Sequence, residues 1–205
     1  MTADRVDHRS IGILGLVTIV TYGSWYYAFG VLFDPIRTDT GWSEAALALS
    51  FSIGTVALGL VSIGGGRLLD RTGARTVLLL AGIGGGAALA LTSFATSIVA
   101  FVIGAALAMV FLGAFGFYHT TMTMAVRLNP GRPSRAIAVL TIWGAFASAV
   151  YLPATAALVD RLAWRPTVRI LAAVVVVVLV AAALLLPDPP SRPRPVPQAR
   201  RPVRP

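Results

Sequence analysis

Gly66-Arg67-Leu68-Leu69-Asp70-Arg71-Thr72-Gly73-Ala74-Arg75 is the stretch on which the reading of this chain turns. Long apolar runs flank it on both sides, with no other charge for some distance. A helix that crosses a bilayer needs about 20 apolar residues to span roughly 30 Å of hydrocarbon, and each flank supplies that length. The decapeptide therefore reads as a tight, basic hairpin between two membrane helices.

Composition agrees. Of the 205 residues 57% are hydrophobic and only 12% charged, and the mean hydropathy is +0.80. A soluble domain carries about a quarter charged residues, so the chain belongs in a bilayer. The net charge of +9 does not indicate a nucleic-acid partner. Its basic residues lie in short loops and a tail rather than on one face of a folded domain. Every positive side chain is arginine, and there is no cysteine, which excludes disulfides, thiolate metal sites and cysteine nucleophiles. His8 and His119 alone leave little material for a metal centre, and no cofactor is expected.

Six spans follow, at about Ile11–Phe33, Glu44–Gly65, Thr76–Ala95, Ile98–Ala125, Ala136–Val159 and Thr167–Leu186. The expected fold is an all-α membrane protein, a six-transmembrane-helix bundle over 11–186. It lies between an N-terminal tail (1–10) and a Pro/Arg-rich tail (187–205). The first span is too long for a signal peptide and lacks a small-residue cleavage site. Asp34-Pro35 should end it, because the residue before proline is disfavoured in helical geometry. Ser43 and Glu44 read as an N-cap and a first-turn carboxylate. Asn129-Pro130-Gly131 reads as a turn with Ser134 as the next cap. Pro166 suits a first helical turn.

Arginine placement orients the bundle. With the N-terminus inside, the inner segments hold Arg5, Arg9, Arg67, Arg71, Arg75, Arg127, Arg132 and Arg135, together with the five arginines of the C-terminal tail. The outer segments hold only Arg37, Arg161, Arg165 and Arg169. Both termini are thus expected in the cytoplasm and the protein in the cell membrane. From Pro187 onward the tail has almost no apolar side chain to bury, and it is expected to be disordered, with some polyproline II.

These features resemble the major facilitator superfamily of secondary transporters in four places. The hairpin resembles the loop between helices 2 and 3 of that family at Gly66, Leu68, Asp70, Arg71, Gly73 and Arg75, departing at Ala74, where many members carry a basic residue. The run Tyr27-Ala28-Phe29-Gly30-Val31-Leu32-Phe33, then Pro35 and Gly41-Trp42-Ser43, is similar to the first helix and outer loop of monocarboxylate-type and related bacterial members. Helix 5 carries Gly144 and Pro153, without the Gly-Pro and Gly-Gly pairs of the drug-antiporter motif. Trp164-Arg165 matches a Gly-Trp-Arg signature before helix 6, with Ala163 in the glycine's place. The family has twelve helices, so the chain resembles an N-terminal half and its tail the linker between halves.

The resemblance implies a gating role for Gly66, Asp70, Arg71, Gly73 and Arg75. In the family the aspartate caps a helix of the opposite half in the outward-facing state. Within this bundle Asp70 is expected to pair with a local arginine such as Arg71 or Arg135. Family cavities are lined by helices 1, 2, 4 and 5. Here these offer Tyr22 and Tyr26, one turn apart on one face, with His119, Trp143 and Tyr151 as further candidates and Tyr118 beside His119. Ordinary bundle packing and interfacial aromatics are the competing account of each. Ser50 and Thr55 join Tyr22, Tyr26, His119 and Tyr151 on the face expected to need cover. No arginine or carboxylate lies mid-span, so nothing in the spans assigns a charge to the solute. Gly54, Gly59, Gly64, Gly82, Gly86, Gly113 and Gly116 read as close helix approaches.

Enzymes are set aside. Asp70-Arg71-Thr72-Gly73-Ala74-Arg75 faintly resembles the aspartate-rich motif of CDP-alcohol phosphotransferases. That chemistry needs several carboxylates around divalent metal, and Arg67, Ala88 and Thr92 stand where they belong. A rhomboid-type protease would need a Gly-x-Ser-x-Gly nucleophile, which is missing. The expected function is transmembrane transport of a small solute as half of a secondary transporter. Its partners would be the lipid bilayer, an unidentified small-molecule substrate, and a homodimer mate or separate C-terminal half. A truncated or accessory six-helix membrane protein without transport is the alternative.

Overall fold

A computed structural model describes residues 7–187. It contains five helices long and apolar enough to cross a membrane: α1 His8–Thr40, α2 Glu44–Ser93, α3 Ile98–Leu128, α4 Pro133–Leu162 and α5 Trp164–Leu185. The described residues include no strand. The expected tail from residue 188, and most of the N-terminal one, lie outside them.

The count differs from the sequence expectation because α2 contains two of the expected spans. Its 50 residues would measure about 75 Å at 1.5 Å per residue, far more than one crossing needs. Helical geometry fails inside it only at Gly73, with φ 83° and ψ 174°, a conformation essentially restricted to glycine. The expected ten-residue hairpin is therefore corrected to a one-residue break. Arg67, Asp70 and Arg71 occupy the last helical turns before it. An interfacial helix end holds such side chains without unwinding, since their heads reach water.

Close contacts show that the chain reverses there. A Cβ on Gly54 would meet Met109, and one on Gly65 would meet Ala114, so the arm before Gly73 runs parallel to α3. Beyond the break, Gly84 lies against Phe111 and Gly104 against Thr92, so the second arm runs antiparallel to α3. That arm also runs antiparallel to α5, with Gly82 on Leu179 and Gly86 on Val176. α1 runs parallel to α4, through Gly15 on Trp143 and Gly23 on Tyr151. It runs antiparallel to α3, through Thr18 to Thr121 and Thr21 to Gly116. α1 is the most buried helix and α2 the least.

Two other boundaries move. α1 passes through Pro35 and stops only at Gly41, whose φ of 71° closes a left-handed C-cap bonded to the Arg37 carbonyl. Proline removes one ladder bond but does not itself end a helix that Arg37, paired with Asp34 and Glu44, continues on its far side. α4 starts at Pro133, so Ser134 is inside the helix rather than its cap; the proline at its start suits the position. Ser43 does cap α2, its hydroxyl accepting from the Ala46 amide at 3.2 Å.

At one end of the bundle the Asp7 amide donates to Asn129 Oδ1 at 2.7 Å, joining the start of α1 to the α3–α4 turn. The Ser10 hydroxyl, donating to Asp7, is the main reason that carboxyl is held below its usual range; burial opposes it. At the other end Asp39 accepts from Trp164 Nε1 at 2.9 Å and pairs with Arg165, which also donates to the Ala95 carbonyl at 3.2 Å. This clasp ties α1, α5 and the α2–α3 connection together.

Ala163 sets that clasp at φ 63° and ψ 173°. A side-chain-bearing residue there is strained by about 1–3 kcal/mol, and the resembling signature has glycine at this place. Ala163→Gly removes the strain but loosens the unfolded chain by about 0.5–1 kcal/mol. The expected outcome is a net gain of about 1 kcal/mol, read as a higher thermal midpoint in detergent. A lower midpoint would contradict the strain account.

Candidate functional site

Two irregular segments meet inside the bundle. Residues Tyr22–Tyr27 of α1 form a π-helical turn, and α3 is interrupted at Phe117, which is extended at φ −76° and ψ 177°. The two pack directly against each other. Tyr22 stacks on Phe117 with ring centroids 3.8 Å apart and planes at 10°. Gly116 lets the Thr21 methyl approach to where a Cβ would be 2.4 Å away.

Breaking a helix inside a membrane strands backbone carbonyls that no water can satisfy, so other groups must bond to them. Thr21 Oγ1 donates to the Gly116 carbonyl at 2.9 Å. Thr120 Oγ1 donates to the Ala114 carbonyl at 3.1 Å, and His119 Nε2 lies 3.1 Å from the same oxygen. The tautomer that donates there carries its proton on Nε2 and leaves Nδ1 as an acceptor. Thr18 Oγ1 donates to Thr121 Oγ1 at 3.0 Å across the α1–α3 seam.

Around this break the structure gathers some of the expected cavity residues and separates others. Tyr22 and Tyr26 do share a face, with ring centroids 6.0 Å apart. Tyr118 lies 5.3 Å from Tyr22, and its hydroxyl donates to the Thr141 carbonyl at 3.3 Å over Gly144. Tyr26 also faces Phe51 of α2 at 5.5 Å. Tyr22, Tyr26, Phe51, Phe117 and Tyr118 thus form one aromatic group drawn from α1, α2 and α3, with His119 one residue further along α3. Tyr151 is not on an open face. It is buried against Gly23 and accepts from Ser24 at 3.2 Å. Trp143 lies apart, against Gly15 at the mouth of an apolar crevice with Ile19 and Phe146. Ser50 is also buried, donating to the Leu47 carbonyl at 2.6 Å, whereas Thr55 is exposed. Of the expected face, Tyr22, Tyr26, Thr55 and His119 remain accessible.

Of the residues expected to gate, Gly66 has no atom within 4 Å of a Cβ position, so packing within this bundle does not require a glycine there. Arg71 and Arg75 are exposed, and Gly73 supplies the reversal. Asp70 pairs with Arg127 of α3, rather than with Arg71 or Arg135. Arg127 extends its guanidinium from the last turn of α3, while Arg71 and Arg135 stay in the exposed layer.

The sequence profile of the Major Facilitator Superfamily matches residues 14–205. The chain belongs to the major facilitator superfamily. No individual curated protein matches it. Major facilitator proteins move solutes across membranes rather than catalyse reactions, and the five apolar helices place this member in a bilayer.

Phe117, Tyr118 and Arg127 are the site residues that sequence reasoning underweighted. Gly113 and Gly116 lie just before the break and are its signal in the sequence, one that close helix packing accounts for equally well.

Proposed function

We propose that this chain forms the N-terminal, six-crossing half of an alternating-access secondary transporter for a small solute. The observation that carries the proposal is the meeting of the π turn at Tyr22–Tyr27 with the break at Phe117. Interrupted helices near mid-span mark solute sites in secondary transporters, and π turns concentrate at functional positions. The chain reversal at Gly73 supports a reading with six crossings, since each arm then runs opposite to the one before it. The Tyr27–Phe33 run and Gly41-Trp42-Ser43 favour a place beside the monocarboxylate-type members.

One bundle cannot rock against itself, so alternating access requires a second six-helix bundle, from another copy or a separate half. The test pairs crosslinking in native membranes with uptake of radiolabelled lactate, pyruvate and acetate into reconstituted vesicles. Uptake by a crosslinkable two-bundle assembly is expected. Uptake by a monomer would overturn the half-transporter reading, and a stable assembly that moves none of the probes would favour the accessory alternative.

The topology has its own test. The ends of the bundle differ in their arginines: Arg9, Arg67, Arg71, Arg75, Arg127, Arg132 and Arg135 fall at one, against Arg37, Arg161, Arg165 and Arg169 at the other. That asymmetry supports cytoplasmic termini in the cell membrane. Reporter fusions after Ser191 and within Thr38–Trp42 are expected on opposite sides of the membrane, the first cytoplasmic; the same side for both would refute it.

A further inference from the structure

An apolar cleft of about 330 Å³ lies between α1, α4 and α5. Its walls are Leu16 and Val20 of α1, Ala154 and Leu158 of α4, and Ile170 and Val174 of α5. It meets a second cleft of about 160 Å³ that continues along α1 and α5, sharing Leu16 and Val178 with it. On α5 the upper cleft runs from Ile170 to Val178, about 12 Å of helix, close to the hydrocarbon depth of one leaflet at about 15 Å.

What distinguishes this cleft from ordinary lipid-facing surface is an arginine one step beyond its wall on the same stripe of α4. On α4 the lining positions Tyr151, Ala154 and Leu158 step by three and four residues, and the next position of that stripe is Arg161. Asp160 falls roughly 200° around the helix from Leu158, on the opposite side. The other arginines at this end are engaged: Arg37 with Asp34 and Glu44, Arg165 with Asp39, and Arg169 with Ser93 and the Phe94 ring. Arg161 has no partner among the described residues.

We propose that this cleft is a binding site for one anionic phospholipid, with an acyl chain between α4 and α5 and the phosphate on Arg161. The chemistry is complementary at both ends. The walls present almost no polar surface to a methylene chain. A guanidinium at the headgroup level donates paired hydrogen bonds to phosphate oxygens and is not neutralised by the protein. The inference requires only that the bundle sits in a membrane, and it stands whether or not the chain transports.

The test is lipid retention by the full-length chain, read by native mass spectrometry after purification from nanodiscs containing phosphatidylcholine alone or with phosphatidylglycerol. Wild type is expected to retain one phosphatidylglycerol in preference to phosphatidylcholine by about five-fold or more, the effect of one interfacial cationic side chain. Arg161→Gln should bring that preference close to one while leaving total lipid retention similar. Ala154→Phe, filling the cleft, should reduce retention of both lipids. Arg135→Gln, at the opposite end of α4, should keep the wild-type preference. Equal retention of the two lipids by wild type, an unchanged preference in Arg161→Gln, or the same loss in Arg135→Gln would overturn the site. So would a second copy of the chain that displaces lipid from the cleft, seen as a dimer weakened by Ala154→Phe. A thermal unfolding scan on each variant establishes that it is folded, and a misfolded Ala154→Phe would be replaced by Leu158→Trp at the same wall.

Discussion

Asp70→Asn is expected to abolish uptake and also to lower the thermal stability of the bundle, whereas Asp70→Asn combined with Arg127→Gln should recover stability without recovering uptake. The reason lies in the unequal burial of the pair. The Arg127 side chain is 14% exposed and that of Asp70 46%. Arg127 Nε is buried with no hydrogen-bond partner, so the guanidinium depends on the carboxylate for compensation. Removing one partner of a buried ion pair costs about 3–5 kcal/mol. Because Asp70 is nearly half exposed, solvent screening reduces that to roughly 1–2 kcal/mol. Arg127→Gln alone should cost less, since the stranded Asp70 reaches water. The double variant removes both charges and returns toward wild type.

Uptake is expected to follow a different rule, because the gate role proposed for Asp70 would need the carboxylate itself. Thermal midpoints of the four proteins, set beside uptake normalised to abundance, separate the two effects. Equal destabilisation by both single variants would contradict the burial argument, and full uptake by Asp70→Asn at wild-type abundance would remove the gate role.

How much of this was legible without coordinates depends on which force sets each feature. The bilayer imposes length and polarity on every span, so the apolar runs, the arginine asymmetry and the reversal near Gly73 are written in composition. The extent of the reversal was misjudged: charge suggested a loop over residues 66–75, whereas the backbone needs only one glycine to turn back. Pro35 misled in the same way, because a local disfavour was outweighed by a long helix with a better stop at Gly41.

The candidate site was less readable. Tyr22 and Tyr26, four residues apart, share a face at both α and π pitch, so their proximity was visible. The break at Phe117 was not, because Phe-Gly-Phe-Tyr has no proline and its threonines look like ordinary helix threonines. Only in three dimensions do Thr21 and Thr120 prove to be the donors that make the interruption tolerable. Asp70's true partner was hidden because Arg127 is 57 positions away in sequence. Tyr151 was misplaced because its hydroxyl suggested an open face, although Ser24 satisfies it in the interior.

The neighbouring glycines 65 and 66 separate packing from the proposed gating most sharply. A Cβ on Gly65 would lie 2.6 Å from the Ala114 carbonyl oxygen, a backbone atom that cannot rotate away. That oxygen is already shared by His119 and Thr120 at the break in α3. Gly65→Val must therefore push the first arm of α2 off α3 or displace the break itself. Overpacking a tight core costs about 1–3 kcal/mol, and a branched side chain against fixed backbone should reach about 3 kcal/mol, enough to reduce the amount of folded protein. Gly66 meets no atom within 4 Å, so Gly66→Val should change stability by no more than about 0.5 kcal/mol. If the face around Gly66 receives a second bundle, the same substitution should still abolish uptake. The expected pattern is thus a lowered thermal midpoint for Gly65→Val and a wild-type midpoint without uptake for Gly66→Val. Equal loss of stability at both positions would refute the packing geometry, and normal uptake by a folded Gly66→Val would refute the docking role of that face.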